Sequence, residues 1–430
     1  MLGPQSDRAL FDRVLPTRMA LSCINREVGH DPVEPGFARI EGRGKWAIPW
    51  LEDDPALIIP QLWAGRMRRD AADALAYGCD GLMGIHWRTR ELGPNVAALS
   101  RAAWDQSDWN PGVDERITMP DTTADRPRYL PCFDFYQDWA RSEFGAAASE
   151  PAARLFTALD GNLPRPSTWA QGPGGLVPDS LDWESQVAPR YGFVDSMAAI
   201  GPLVTGAGAR ERFDFWLHSL CYLREVAHFN CVLWRFQQAM DKVRRSSDPD
   251  VKNALAREEA LPLRIELAGR LAEVFRHLLP TVTTTGALGT VTNWQQHVLP
   301  QYLGGPDREL EELIGPLPRA VALSSSYEGA PRLFVPIERS SLAPDESLEL
   351  KAIVLGIEPS GVSLYWRPMG QGEFTALPME HAARGVWHAS LPPRGEDIEY
   401  YVQADRGPGK PLLWPAGAPS PARTVVCLPD

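Results

Sequence analysis

The sequence predicts a multidomain protein with a partial parallel α/β segment, a helical domain and a C-terminal β-sandwich. Three observations predict this fold class. Apolar runs flank an amphipathic helix within residues 1–105, helical periodicity dominates 106–323, and short alternating runs between turn residues fill 328–430. A chain of 430 residues is long enough for two or three domains. We therefore take these three parts as the predicted domains.

The first part has the strand–helix–strand pattern of a βαβ unit. Helical spacing over Pro60–Tyr77, with Gly78 as a stop, predicts one helix, and Ala97–Trp104 predicts another. Nearly continuous apolar runs predict strands buried on both faces of a parallel sheet. These runs are Met19–Ile24, Trp46–Leu51 and Gly81–Ile85. The pattern is typical of a segment of an α/β (TIM) barrel.

The number of predicted βα units is too small for a complete barrel. A closed barrel needs eight units and typically about 250 residues, whereas three units precede the helical part. Either the N-terminal half of a barrel lies outside this chain, or the strands join the helices in another arrangement. We expect the first, because Met1–Pro4 leads directly into the helix-like segment Arg8–Leu15.

The other two parts differ in periodicity. Arg210–Arg245 carries the strongest helical pattern of the chain, with one broad apolar face. After the linker-like segments Ser324–Ser326 and Gly329–Pro331, Pro and Gly punctuate alternating runs at intervals of roughly ten residues. This spacing predicts a sandwich of seven or eight strands.

Composition excludes several classes of function. With 43 Lys+Arg against 55 Asp+Glu, the net charge of −12 argues against non-specific nucleic-acid binding. No apolar run is long enough to predict a membrane span. The six cysteines are scattered without CxxC, so we predict no metal site. No pattern indicates a nicotinamide, flavin or other cofactor.

The first residues lack the shape of a signal peptide, so localisation stays open, with export expected if the true N-terminus is missing. The sequence also leaves open whether the chain forms a homo-oligomer.

A polar cluster follows each predicted strand. In parallel α/β barrels the functional groups lie at the carboxyl ends of the strands, so we expect these clusters to line a site. They are Asn25-Arg26-Glu27, Glu52-Asp53-Asp54 and His86-Trp87-Arg88.

Glu52 and Asp53 are the predicted catalytic residues. Neighbouring carboxylates raise the pKa of one of them, which suits a general acid. Adjacent strand residues point in opposite directions, so at most two of Glu52, Asp53 and Asp54 could face one cavity. The alternative is that Asp53 or Asp54 caps a following helix that has Pro55 in its first turn.

The remaining strand-end residues are predicted to bind substrate. Trp87 offers an indole platform for a sugar ring, and Trp50 is a second platform candidate near the end of its strand. Arg88 or Arg90 suits a uronic acid or a sulfated sugar, because guanidinium grips planar oxyanions. The alternative places Trp87 in the core and pairs the arginines with Glu91, or with Glu52 and Asp53. The predicted set is completed by His86, Asn25 and Arg26, and the last two are otherwise turn residues.

Four segments stand out, WxxPWLEDDP, YGCDGLMGIHWRTR, WARSEFG and PSTWAQGPG. They resemble segments of large bacterial glycoside hydrolases in which an (α/β)8 barrel precedes a helical domain, among them the β-hexosaminidase-like and α-glucuronidase-like families. The segments GVWHASLP and DIEYYVQAD are similar to the fibronectin-III or immunoglobulin-like modules often appended to such enzymes. The family's acid/base residues often lie on the fourth strand or its neighbours, which this chain lacks by our count of strands.

The resemblance implies a glycoside hydrolase, or its C-terminal part, acting on a polysaccharide or glycan that contains an amino or uronic sugar. The first alternative is a non-catalytic carbohydrate-binding remnant with an Ig-like interaction module. The second is a helical scaffold without sugar chemistry. Paired carboxylates beside Trp87 would favour the enzyme, and an aromatic cleft without them would favour the binding protein.

Overall fold

The computed structural model describes residues 8–53, 57–88, 90–107, 128–168 and 175–428. The chain divides into two compact units. The first comprises Met1–Leu203 and Thr292–Gly305, and the second comprises Val204–Val291 and Pro306–Asp430. The domain boundaries near residues 105 and 323 remain predictions.

The first unit contains the predicted parallel sheet. Its strands β1 (Leu21–Ile24), β2 (Lys45–Ile48) and β3 (Gly81–Leu82) lie in the order β1-β2-β3. A bridge between Trp50 and Ile85 continues the pairing beyond β2 and β3. The mixed α/β character is thus confirmed, and within the described residues the three strands form an open sheet.

The predicted burial of this sheet on both faces is wrong. Side chains alternate between faces along a strand, and in β2 the pattern leaves Trp46 44% exposed while Ala47 is fully buried. The inner face packs against a cluster containing Val33, Phe37 and Tyr77. Lys45 also points inward, where its Nζ donates to three backbone carbonyls at 2.7–3.0 Å. An indole at the centre of the outer face therefore remains accessible to solvent.

Six helices accompany these strands in the described part of the first unit. The carboxylate of Asp160, which is distant in the chain, fixes the start of the second helix. The predicted helix over Pro60–Tyr77 begins only at Ala64, because Asp160 accepts hydrogen bonds from the N–H groups of Ala64 (2.7 Å) and Gly65 (3.0 Å). The helices of this unit are α1 (Phe11–Val14), α2 (Ala64–Ala76), α3 (Gly93–Trp104), α4 (Phe133–Phe144), α5 (Ala146–Leu159) and α6 (Phe193–Ile200). A short antiparallel pair, β4 (Ser167–Thr168) and β5 (Gly175–Leu176), lies between α5 and α6 in the chain.

The second unit begins with the long helix that the periodicity predicts. This helix, α7 (Ala207–Arg245), packs against α9 (Leu261–Leu278), with α8 (Pro249–Leu255) between them in sequence. The predicted helix over Thr290–Leu303 belongs mostly to the first unit, and it is interrupted, because π-type turns follow α10 (Leu288–Asn293) before α11 (Gly305–Ile314) begins. Among the described residues, no helix combines the length and the apolar character needed to cross a membrane.

The C-terminal part of this unit forms two sheets around one apolar core. One sheet has the order β10-β9-β13-β15-β7 with β14 on β13, and the other has the order β11-β12-β8-β6. Their ten strands are β6 (Arg332–Phe334), β7 (Ser341–Leu342), β8 (Leu348–Leu355), β9 (Gly361–Pro368), β10 (Thr375–Pro378), β11 (Glu380–Ala383), β12 (Val386–Leu391), β13 (Ile398–Asp405), β14 (Leu412–Trp414) and β15 (Arg423–Cys427). Leu350 of β8 and Val402 of β13 lie in the shared core, so the two sheets form a sandwich.

Two histidines in the helical part of the second unit favour their neutral forms. Burial and neighbouring positive charges lower the pKa of His228 to about 4. Burial and His218 lower the pKa of His277 to about 4 as well, and the Nδ1 atoms of His218 and His277 lie 3.0 Å apart. In the unfolded chain both groups titrate near 6.5. The unfolded state therefore binds more protons than the folded state below about pH 6.5.

We expect the melting temperature of the second unit to fall as the pH is lowered from about 6.5 towards 4, because the unfolded state gains protons there. His277→Gln should flatten this dependence, whereas the exposed His381→Gln should leave it unchanged. Scanning calorimetry between pH 4.5 and 7.5 measures the effect. Equal pH slopes for the wild type and His277→Gln would contradict the assignment.

Candidate functional site

The carboxyl ends of the three parallel strands meet in one group of side chains. Trp50 Nε1 donates to the carbonyl of Asn25 at 3.0 Å, and the rings of Trp50 and Trp87 lie 5.2 Å apart with an interplanar angle of 40°. Trp87 is 47% exposed. We call Trp50 and Trp87 together the tryptophan platform. The structure thus brings Asn25, Trp50 and Trp87 into contact at the strand ends.

A buried ion pair fixes the loop that carries the platform. Glu52 is inaccessible to solvent, and its Oε1 accepts the backbone N–H groups of Trp87 (2.8 Å) and Arg88 (2.7 Å). Its Oε2 accepts Arg88 Nε at 2.6 Å, and Arg88 Nη2 donates to the carbonyl of Ile59 at 2.8 Å. The structure thus has the alternative arrangement in which Arg88 pairs with Glu52. Both side chains hold the backbone of Trp87 in place, and neither presents its charge to solvent.

The other predicted binding residues have local partners. His86 is exposed, and its Nδ1 donates to the carbonyl of Arg88 at 2.8 Å, which leaves Nε2 as the acceptor nitrogen. Arg26 Nη2 donates to Glu34 Oε2 at 3.0 Å. Arg90 is half-buried at the start of a short 3-10 turn, Arg90–Leu92. Of this group, His86 is thus placed beside the tryptophan platform.

Asp53 faces away from Glu52 and towards a different group of side chains. Its backbone N–H donates to Gln61 Oε1 at 3.0 Å, and its Oδ2 pairs with Arg165 and lies 3.7 Å from His30 Nε2. The side chain itself is 1% exposed. The two predicted catalytic carboxylates therefore have different partners, although both lie after the end of β2 at Ile48, where strand alternation does not apply.

A cleft lies over the residues that Asp53 contacts. It spans about 360 Å³ of space not filled by atoms, part of which is open to solvent. Its polar and aromatic lining consists of His30, Gln61, Trp63, Arg66, Tyr129 and Arg165. We call it the cationic cleft. No Asp or Glu is among the described residues that line it.

Beneath the cleft, α2 carries charged residues that face inward. Arg66 and Asp70 are inaccessible to solvent. Asp70 Oδ1 accepts Asn25 Nδ2 at 3.1 Å, and Arg128 pairs with the same carboxylate at 3.1 Å. Burial raises the pKa of Asp70, and the nearby Arg128 opposes this shift. Predicted binding residue Asn25 is therefore linked to the cation cluster as well as to Trp50.

Asp160 joins α2 to the same region. Its carboxylate accepts Tyr136 Oη at 2.7 Å in addition to the two N–H groups at the start of α2. Burial raises its pKa to about 6, and these hydrogen bonds oppose the rise. Asp160 thus serves as the acceptor that completes the helix end, and the next residue, Gly161, lines the cationic cleft.

The residues of the cationic cleft were not predicted from the sequence. His30, Arg66 and Arg165 lie far apart in the chain, and none follows a predicted strand. One local signal was present, because Arg66, Arg68, Arg69, Asp70 and Asp73 crowd onto a single short helix. When a helix that lies between two strands is buried, this many charged residues on it indicate that they form ion pairs inside the protein.

We expect Glu52→Gln to lower the free energy of unfolding by about 3 kcal/mol, because it leaves Arg88 buried without its counter-charge. Glu150→Gln is the matched control, since Glu150 pairs with Arg154 in solvent and should cost less than about 0.5 kcal/mol. Urea unfolding followed by tryptophan fluorescence measures both variants. Equal costs would show that Glu52 does not hold this loop.

A scan against protein-family models and a search of curated proteins both find no match for this chain. Among solved structures, one that matches is described as the crystal structure of an engineered protein. It is 12% identical, and the match covers 59% of this chain and 73% of that chain with a TM-score of 0.21. A likeness of this degree carries no argument about fold or function.

Proposed function

We propose that this protein binds carbohydrate at the tryptophan platform. One observation carries the proposal: the indole of Trp87 is half-exposed while its backbone is anchored by the inaccessible Glu52. An exposed hydrophobic ring on a rigid loop packs well against the apolar face of a sugar ring, and little conformational entropy is lost on binding. The exposed imidazole of His86, the residue before Trp87, offers its Nε2 to a sugar hydroxyl.

The geometry around Glu52 supports binding rather than catalysis at this position. A general acid must reach the glycosidic oxygen within hydrogen-bond distance. Both oxygens of Glu52 already accept hydrogen bonds from Trp87 and Arg88, and the side chain has no exposed surface. Glu52 therefore acts on a ligand only through Trp87, as a positioning residue. This corresponds to the carbohydrate-binding alternative that the sequence leaves open.

We expect Trp87→Ala to weaken glycan binding about tenfold, because the platform loses the ring that stacks on the sugar. Titration calorimetry of the full chain with neutral, amino and uronic oligosaccharides measures the change. Trp104→Ala is the matched control, since Trp104 is 92% exposed on α3 and has no place in the platform.

Two outcomes would contradict the binding proposal. One is a wild-type chain that melts cooperatively but binds none of the oligosaccharides. The other is an equal loss of affinity in the Trp87 and Trp104 variants, which would indicate non-specific contact with exposed indoles.

Glycoside hydrolysis is the second candidate function. Of the two predicted catalytic carboxylates, Asp53 is the one that contacts Arg165 and His30, which both line the cationic cleft. Its side chain is 1% exposed and paired, so Arg165 would have to release it before it could reach a substrate. In this candidate, the three parallel strands belong to an (α/β)8 barrel of a larger hydrolase, and Asp53 is one of its two carboxylates. The C-terminal sandwich is then an appended fibronectin-III or Ig-like module.

If the chain hydrolyses glycosides, Asp53→Asn should reduce kcat at least 100-fold, because the amide cannot act as a base or nucleophile. Release of nitrophenol from aryl glycosides of amino and uronic sugars measures turnover. Asp138→Asn, at an exposed pair with Arg101, is the control and should retain full activity. If the wild type cleaves none of these glycosides, hydrolysis by this chain is refuted, and the binding proposal is unaffected.

A further inference from the structure

We propose that the cationic cleft binds a small molecule carrying an oxyanion, namely a carboxylate, sulfate or phosphate group. Arg165 and His30 are the direct donors, and Arg66 supplies a fixed positive charge behind them. The side chains of Arg165 and His30 are 42% and 46% exposed. This site does not include the tryptophan platform, so it stands or falls independently of the proposed function.

The lining of the cleft is cationic, whereas the carboxylates that interact with it are buried. Arg66 interacts electrostatically with the guanidinium groups of Arg128 and Arg165 and with the carboxylates of Asp53, Asp70 and Asp160. These three carboxylates are at most 6% exposed, and none is among the described residues that line the cleft. Asp53 pairs with Arg165, and Asp70 pairs with Arg128. A low-dielectric surrounding strengthens the attraction of the cationic lining for an anion.

Arg66 is the guanidinium without a counter-charge of its own. Within the described residues its hydrogen-bond partners are the carbonyl of Gly29, His30 Nδ1 and Tyr129 Oη, and none is a carboxylate. Its Nε is buried, and no acceptor for it lies in the described part of the chain. The guanidinium carbon lies 3.7 Å from the ring centroid of Trp63 and 4.9 Å from that of Tyr129. The two rings fix the cation at the cleft wall.

Burying the positive charge of Arg66 is unfavourable, and this lowers the pKa of its guanidinium group. Burial and the nearby Arg128 lower its pKa to about 9. The group stays protonated at pH 7, because this value is still well above the pH. An anion in the cleft would offset part of this unfavourable environment, so the protein gains more from binding an anion than from binding a neutral molecule.

His30 has a hydrogen-bonding conflict that an anion would remove. Arg66 Nη2 lies 3.3 Å from its Nδ1, and Arg165 Nη1 lies 2.9 Å from its Nε2. A neutral imidazole has one lone pair and one N–H, whereas guanidinium nitrogens can only donate. One of the two contacts therefore places two donors face to face. An oxyanion between Arg165 and His30 would accept from both and relieve this contact.

The cleft allows more than a bare ion. Trp63 and Tyr129 are among its lining residues, and an aromatic face can pack against an organic body attached to the charged group. A sugar acid and a free inorganic ion share the same oxyanion chemistry. The experiment therefore includes both sources as separate titrations.

Titration calorimetry of the full chain at low salt tests the proposal, with glucuronate, inorganic phosphate, sulfate and glucose as probes. We expect at least one anion to bind and glucose to bind at least tenfold more weakly. Arg165→Gln should weaken anion binding about tenfold or more, since one charge-assisted donor is lost. His30→Gln removes the second direct donor, and we expect it to weaken binding in the same direction.

Two controls separate this site from general charge effects and from the proposed function. Arg154→Gln removes an exposed arginine on α5 and should leave anion affinity unchanged. Trp87→Ala should also leave it unchanged, because the platform lies outside the cleft. Binding of glucuronate alone identifies a sugar acid as the ligand class, whereas binding of phosphate or sulfate with equal affinity identifies a free oxyanion.

Three results would overturn the proposal. The first is no heat of binding for any anion up to about 10 mM. The second is glucose binding as tightly as glucuronate in the Trp87→Ala variant, where the tryptophan platform does not contribute. The third is wild-type anion affinity in both Arg165→Gln and His30→Gln, with melting temperatures that show both variants to be folded.

Discussion

The inward-facing charges of α2 are the constraint on which the first unit depends. Arg68 Nη1 and Nη2 donate to the Asp134 carboxylate at 2.7 and 2.5 Å, and Arg69 pairs with Asp73 on the same helix at 2.9 Å. Asp70 is paired with Arg128. A buried charge is tolerated only when a partner neutralises it or satisfies its hydrogen bonds. The segments that supply these partners, including α4, must therefore take positions around α2, and the chain that follows α3 is organised by this demand.

The need of a buried charge for a partner also explains why the neighbouring carboxylates Glu52 and Asp53 contact different arginines. Glu52 is directed to Arg88 and fixes the tryptophan platform, whereas Asp53 is directed to Arg165 beside the cationic cleft. A further link joins the two regions, because Arg88 donates to the carbonyl of Ile59, which lines the cleft. Displacing Arg88 would thus disturb the support of both regions. The platform and the cleft are distinct surfaces that share part of one hydrogen-bonded frame.

The part of the fold that follows local periodicity could be predicted from the sequence. Strand β8 (Leu348–Leu355) lies in the part where short apolar runs between turn residues predict strands, and its first four residues alternate between apolar and charged side chains. Strands such as β7 and β14 escaped prediction, since segments of two or three residues carry no measurable period. The positions of Asn25 and Trp87 followed from the rule for strand ends. His30 and Arg165 could not be predicted, because their contact joins residues 135 apart and depends on charge partners that no local pattern reveals.

The partners of the α2 region have a consequence for how the chain acquires its structure during synthesis. Arg128, Asp134 and Asp160 lie 58, 66 and 96 residues beyond the groups that they contact in α2, and Arg165 lies 112 residues beyond Asp53. A ribosome releases the strands and α2 long before it releases these side chains. Until then, the helix would bury charges without counter-charges and leave its first N–H groups without acceptors. Residues 21–82 therefore lack these partners until the chain has reached about position 165, which gives the first unit contacts of long sequence separation.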